Sequence, residues 1–252
     1  MNKFLPIFGA LLFLWTSNAA AQVTGVKNVP GDYADLAAAF SALNASGVGA
    51  GGATINLLAA QSAPVNGFQL GSAALYSSLS SANPLIFQGN NNTVSGYIGT
   101  RAGSLTSGAN DAIFVMNGVD WVTISGITFQ DLTANTTTTT AMENAIAFYN
   151  VSTTSGSANG CQFNTVSGCT FDLGNVAVNG SAIFAGPYVF NSATTATWTA
   201  NSADIHRSLT INNNNFSNIY TGIAFRGPTT AQARNLVVTK NILTGDGGGA
   251  ST

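Results

Sequence analysis

The sequence predicts an all-β solenoid, a parallel β-helix with a short N-terminal capping helix, on three observations. First, a short phrase returns along the chain: "WVTISGITF" at 121–129, "NTVSGCTF" at 164–171 and "LTINNNNF" at 209–216. Second, another family of apolar runs alternates with it: "AIFVM" at 112–116, "AIAFYNV" at 145–151, "AIFAG" at 182–186 and "GIAFRG" at 222–227. Third, each phrase is interrupted at the same place by residues that bend a chain: Ser125-Gly126, Ser167-Gly168 and Asn212-Asn213. Several short strands within a unit of roughly 20 to 30 residues is the period of a solenoid coil.

Residues 1–21 carry an early Lys3, an apolar run from Phe4 to Trp15 and small residues, Ala19-Ala20-Ala21, ahead of Gln22. That is the pattern of a secretory signal peptide, too short in its apolar part to span a bilayer. The expected mature chain is exported to the extracellular space or cell surface and has no membrane span. Residues 22–52 form the expected cap, and 53–252 the β-helix.

Within the cap, "PGDYADLAAAFSALNASG" spaces Tyr33, Leu36, Phe40 and Leu43 at intervals of three and four, one face of a helix. Asp32 is the expected N-cap and Gly47 stands just beyond the end, so the helix is predicted over 32–46. Its apolar stripe is placed to cover the open edge of the first coil. Beyond Gly47 the runs "ATINLL" (53–58), "PLIFQG" (84–89) and "NLVVTKNIL" (235–243) join the two families as β-strands, and no second helix is predicted.

The runs align. In one set Ile124, Val166, Ile211 and Val238 correspond, followed by Phe129, Phe171, Phe216 and Leu243; in the other Ile113, Ile146, Ile183 and Ile223 correspond. Stacked coils then place like on like in a narrow core. Gly and Asn at the interruption tolerate the left-handed backbone that β-branched residues resist, so the chain turns there. An immunoglobulin-like sandwich would instead need hairpins every 8 to 12 residues and no such register. The chain reaches "LTGDGGGAST" without a second cap, so the β-helix is read as truncated at its C-terminus and continuing into further domains.

With 7 Lys and Arg against 9 Asp and Glu in 252 residues, the chain has no basic footprint for nucleic acid or an anionic membrane. Ordered runs of Ile, Val, Leu and Phe exclude a disordered chain. Two cysteines are too few to scaffold a domain of this size, and Cys169 takes the inward place of Ile127, so it is expected to be a buried thiol. Whether it pairs with Cys161 stays open at this level.

The stretches "GDYADLAAAFSALNASGVGAGGATINLL", "SSANPLIFQGNNNTVSGYIGT" and "NGVDWVTISGITFQDLTANTTTTTAMENAIAFYN" resemble the N-terminal part of large exported proteins of Bacteroidetes-type bacteria. Those proteins are similar to right-handed parallel β-helix proteins of the pectin lyase-like superfamily. The resemblance implies a right-handed coil, and in that group such helices often precede adhesion-type modules and a type IX sorting signal, which this sequence does not contain. It implies no single activity, because the fold carries lyases, hydrolases, tailspikes and adhesins.

Candidate chemistry follows from the few ionisable groups. A lyase of the pectate type needs clustered carboxylates to hold calcium and an Arg or Lys base. Asp131 and Asp172, each shortly after the Phe of its phrase, are expected on neighbouring coils along one face, and Arg226 after "GIAF" is the best-placed base. A polygalacturonase-type hydrolase needs several Asp with a His, and "ADIHRS" offers Asp204, His206 and Arg207. Tyr149, Tyr188, Trp198 and Tyr220 lie in or beside the variable insertions, where exposed rings would stack on sugar faces. No nucleophile elbow, P-loop or zinc spacing is present. Scattered charge favours a non-catalytic adhesin, stalk or carbohydrate-binding scaffold, with no cofactor, facing an extracellular carbohydrate or a host or cell-surface ligand. The alternative is a polysaccharide lyase or glycoside hydrolase, with calcium under the lyase form alone.

Overall fold

The computed structural model describes residues 21–101, 103, 106–152, 154, 158–174, 180–192, 203–227 and 235–244. Residues 1–20 of the expected leader lie outside them. The first strand, β1 (Val23–Val29), leads into α1 (Leu36–Ser46). The helix starts four residues later than its periodicity predicts, because Asp35 rather than Asp32 caps it. Asp35 has extended backbone, and its carboxylate accepts the N–H of Ala38 at 2.8 Å. Asp32 instead accepts the N–H of Asn28, holding the turn against β1. Leu36, Ala39, Phe40 and Leu43 are buried as one stripe.

From there the chain winds in coils. The first is β2 (Val48–Leu57), β3 (Gln61–Ser62) and β4 (Phe68–Leu70), after which a second, six-residue helix, α2 (Ala73–Ser78), returns the chain. Its shortness leaves no periodic signal, so the sequence did not reveal it. The second coil is β5 (Leu85–Gln88), β6 (Thr93–Ser95) and β7 (Ala112–Asn117). The third is β8 (Val122–Ser125), β9 (Thr128–Gln130) and β10 (Asn144–Asn150). The fourth is β11 (Thr165–Ser167), β12 (Thr170–Asp172) and β13 (Ser181–Val189). The fifth is β14 (Thr210–Asn212), β15 (Asn215–Ser217) and β16 (Thr221–Phe225), and a sixth begins with β17 (Val237–Thr239) and β18 (Ile242–Thr244).

Each strand pairs with its counterpart one coil away, and all these pairs are parallel. The first sheet runs β1-β2-β5-β8-β11-β14-β17, the second β3-β6-β9-β12-β15-β18 and the third β4-β7-β10-β13-β16. The protein is therefore an all-β parallel β-helix.

The core is a set of ladders. Ile55, Phe87, Ile124, Val166, Ile211 and Val238 are in register along the first sheet. Val94, Phe129, Phe171, Phe216 and Leu243 are in register along the second, with Phe129 on Phe171 at 5.3 Å and Phe171 on Phe216 at 4.9 Å between ring centres. In the third sheet Ile146, Ile183 and Ile223 align as the sequence predicts, but the partner of Ile146 in β7 is Phe114, not Ile113. Both faces of β7 and β10 are buried, so alternation along β7 carries no information about which side faces in, and a one-residue slip is invisible in sequence.

The corners between first and second sheets contain residues with positive φ: Gly126 at 61°, Gly168 at 62°, Asn213 at 54° and Lys240 at 55°. The following place holds Ile127, Cys169, Asn214 and Asn241. The Asn214 amide accepts the Cys169 N–H and donates to Val166 O, and Asn241 repeats the donation to Ile211 O. Around a built Cβ at Gly168 the nearest atom is 4.0 Å away, so only the backbone conformation restricts the site. Gly168→Val is expected to lose about 1 to 2 kcal/mol of unfolding free energy in urea, and Gly168→Asn much less. Equal losses for both variants would show that crowding, not backbone handedness, governs the corner.

Candidate functional site

Connections between first and second sheets are short, so loops gather around the third. The connection before β7 and the one after β13 meet outside it: Asn191 N–H donates to Gly108 O at 2.9 Å, and Gly108 N–H to Ser192 O at 3.0 Å. Beneath them a separate apolar layer forms on the outer face, from Ala112, Val115, Ala147, Tyr149, Phe184 and Tyr188. Tyr149 and Tyr188 are thus packing residues, both buried, and the Tyr149 hydroxyl has no hydrogen-bond partner among the described residues. Tyr220 is 43% exposed; Trp198 lies outside the described residues.

The residues just before β7 and β10 are Asp111 and Glu143, one above the other on adjacent coils, and both are buried. Asp111 Oδ2 accepts the N–H groups of Thr100 and Arg101, at 2.7 and 2.8 Å. Its Oδ1 accepts Arg101 Nη1 at 2.7 Å and the Tyr97 hydroxyl at 2.9 Å. Arg101 continues to the side chains of Asn66 and Asn191 and lies 5.6 Å from the Phe190 ring centre. Glu143 accepts the N–H of Asp111 at 2.7 Å and of Gly103 at 3.1 Å. A side chain at Gly103 would occupy the space of Glu143. Burial pushes the Glu143 carboxyl up to about 8, with the charge of Asp111 adding to the effect and the N–H donors opposing it. Burial, then Asp111, also raises the Tyr97 phenol.

Asp131 and Asp172 do lie on neighbouring coils, but out of register. Asp172 pairs with Gln130, and Asp131 N–H donates to Asp172 O at 3.0 Å. The two acids share the wall of an open hollow of about 420 Å³ with Gln130, Thr133 and Asn135. Both oxygens of Asp131 are engaged, Oδ2 by Met142 N–H at 2.9 Å and Oδ1 by Leu132 N–H at 2.7 Å and the Asn135 amide. Burial raises its carboxyl, against the pull of those donors. Asp172 Oδ1 accepts Asn218 Nδ2 at 3.2 Å.

The other candidates sit elsewhere. Asp204 and His206 are buried where the chain passes from third to first sheet. Asp204 Oδ1 accepts Ala158 N–H at 3.2 Å. His206 Nδ1 accepts Cys161 N–H at 2.9 Å, which leaves Nε2 as the protonated nitrogen donating to Gly186 O at 2.9 Å. Burial lowers the imidazole to about 4, so it is neutral at ordinary pH. Arg226 follows β16, its N–H donating to Ala185 O at 2.8 Å. Arg207 instead faces a stacked pair, Trp121 on Phe163 at 4.3 Å, with its guanidinium 5.2 Å from the Phe163 ring. Beside it, burial pushes the Asp120 carboxyl up to about 6, against the pull of Gln162 N–H and the Arg207 charge.

Among the described residues, Asp131 and Asp172 are the catalytic candidates that line one hollow together, while Asp204, His206, Arg207 and Arg226 lie elsewhere. Cys161 and Cys169 are both free and buried, and burial pushes the Cys169 thiol up to about 11. Among the described residues no group of three or more His, Cys, Asp and Glu is arranged to hold a metal ion, and no helix is long and apolar enough to cross a membrane. Sequence reasoning did not single out Asp111, Glu143, Arg101 or Tyr97. The available signal was positional: Asp111 and Glu143 each stand directly before a third-sheet run.

The chain matches no protein-family model, no curated protein and no solved structure.

Proposed function

We propose that this chain is a non-catalytic β-helix module of an exported or cell-surface protein, acting as an adhesin stalk or carbohydrate-binding scaffold. The observation that carries this is how its ionisable groups are used. Asp111, Asp131, Glu143, Asp204 and His206 are buried, and each accepts a backbone N–H from a loop. They act as staples that tie variable loops to a regular wall, and a group engaged in this way is poorly placed to exchange protons with a substrate. In this reading the coil is right-handed and pectin lyase-like, of Bacteroidetes-type origin. It is delivered by its leader, requires no cofactor and faces an extracellular carbohydrate or a host or cell-surface ligand.

One feature supports the second reading, a polysaccharide lyase or glycoside hydrolase. Asp131 and Asp172 border the same open hollow, and calcium would be the natural ion for a lyase there. Polyuronide cleavage followed by absorbance of the unsaturated product and by reducing ends, with and without calcium, separates the two. The scaffold reading expects no product above a heat-treated control, together with retention on a subset of a glycan array. Turnover that disappears in Asp172→Asn would replace it with the enzymatic one.

A further inference from the structure

We propose that the outer face of the first sheet binds the surface of ice. The inward residues of this sheet form a core ladder, so the residues that alternate with them face out. On three consecutive strands, β8, β11 and β14, the outward places are filled in register. Thr123, Thr165 and Thr210 make one column, and Ser125, Ser167 and Asn212 the next. All six are part-exposed. Two coils before β8, β2 presents Thr54 and Asn56 in the same columns, and β5 between them presents Ile86 and Gln88. No outward side chain on these five strands is ionisable.

Three properties set this face apart from an ordinary solvated one. Its hydroxyls are unspent: among the described residues, only Ser125 of the six makes a side-chain hydrogen bond within the protein, to Gln88 Oε1 at 3.0 Å and Phe87 O at 3.4 Å. Its groups are fixed, because threonine is stiff about χ1 and little side-chain entropy is left to lose on binding. Its spacings form a lattice, with strands about 4.8 Å apart and alternate residues of one strand about 6.7 Å apart. Both spacings lie close to oxygen repeats on a prism face of hexagonal ice. Water held by such an array already stands near lattice positions, and the methyl groups between the hydroxyls restrict its other orientations. An ice surface is neutral, periodic and made of hydrogen-bond donors and acceptors. The face matches it in all three respects, and covering it desolvates no charge.

A crystalline polysaccharide is also neutral and periodic, but proteins grip sugar rings with the faces of aromatic side chains. No ring stands in these columns. Trp121 and Phe163, at the corner beside them, lie 8° from parallel at 4.3 Å, so each covers a face of the other. The second sheet is the less suitable wall, because its outward column carries Asp172.

The test is growth of a single ice crystal in a solution of the purified protein, with thermal hysteresis read in a nanolitre osmometer, and partition of the protein between slowly grown ice and the remaining liquid. Faceted growth, a measurable gap between melting and freezing, and enrichment in the ice are expected. Thr123→Lys with Thr165→Lys, which sets two charges in the middle of the face, should abolish all three. Thr123→Val with Thr165→Val, which keeps the shape and removes two hydroxyls, should reduce them. Thr170→Lys on the second sheet should leave them unchanged. Matching far-UV circular dichroism of the variants would show that the coils remain. Round crystals with exclusion from the ice would overturn the proposal. So would parent-like activity in either double variant, or an equal loss in Thr170→Lys, which would place the contact on another wall. Retention on crystalline cellulose or chitin with no effect on ice would give the face to a polysaccharide instead. Ice binding requires only the fold, so its failure leaves the scaffold reading and its glycan-array test untouched.

Discussion

Phe40→Ala is expected to lower the unfolding free energy by about 3 to 5 kcal/mol, the range for emptying a well-packed aromatic site. Phe40 is 3% exposed and is the one helical ring that enters the solenoid, touching Phe68, Phe87 and Phe114 together. Those rings belong to the first two coils, and Phe114 passes the contact on to Phe129 at 5.1 Å, where the stacked column of the second sheet begins. Removing Phe40 therefore leaves a cavity at the one place where helix, first sheet and third sheet meet, and it loosens the cover over the first coil. Urea unfolding monitored by circular dichroism gives the number. Ser41→Ala, on the exposed face of the same helix, should stay within about 0.5 kcal/mol. Similar losses for both would mean that helix propensity, not plugging, dominates at this end.

The second large effect is on pH. Burial puts the Glu143 carboxyl at about 8 in the folded protein, against an ordinary value of 4.5. The folded state therefore binds the proton more tightly than the unfolded state does. Its stabilising effect is complete below about 4.5 and is lost as pH rises through about 8. Asp111, Arg101, Tyr97, Tyr149 and Asp131 surround this site, and ionising Glu143 adds negative charge beside Asp111 where little water can screen it. Wild-type stability should fall by a few kcal/mol between about pH 5 and pH 9, and Glu143→Gln should remove most of that slope. The glutamine cannot ionise and keeps a carbonyl for one of the two N–H donors. Melting temperatures across this range for both proteins suffice, and parallel curves would exclude Glu143 as the source.

The regular parts of the fold were legible because regularity is what repeats. Ile124, Val166, Ile211 and Val238, and the column Phe129, Phe171, Phe216 and Leu243, fill equivalent places in a narrow core, so their spacing is written in the chain. The corner residues were legible for the same reason at Gly126, Gly168 and Asn213, since a left-handed backbone favours Gly or Asn, whereas Lys240 takes the same conformation without that signal. The third sheet was less readable. With both faces of β7 and β10 buried, their alternation disappears, and Phe114 rather than Ile113 stands opposite Ile146.

The staples were the least readable part. Asp111 and Glu143 are ordinary acids in sequence, and their bonds reach Thr100, Arg101 and Gly103 across loops of irregular length. His206 was a catalytic candidate as the only histidine, yet its two nitrogens close a turn with Cys161 and Gly186. Tyr149 and Tyr188 stand beside the insertions, and whether a ring there faces solvent or packs inward depends on what covers it; both pack into the outer apolar layer.

The sequence by itself determined the solenoid, its ladders and its corners, because each coil faces the same steric demand and answers it with the same residue types. The tertiary structure alone decided which side of the third sheet faces inward, which aspartate caps the helix and which acids hold loops. Those outcomes depend on contacts between segments far apart in the chain, and on burial, which turns an exposed carboxylate into a hydrogen-bonded anchor.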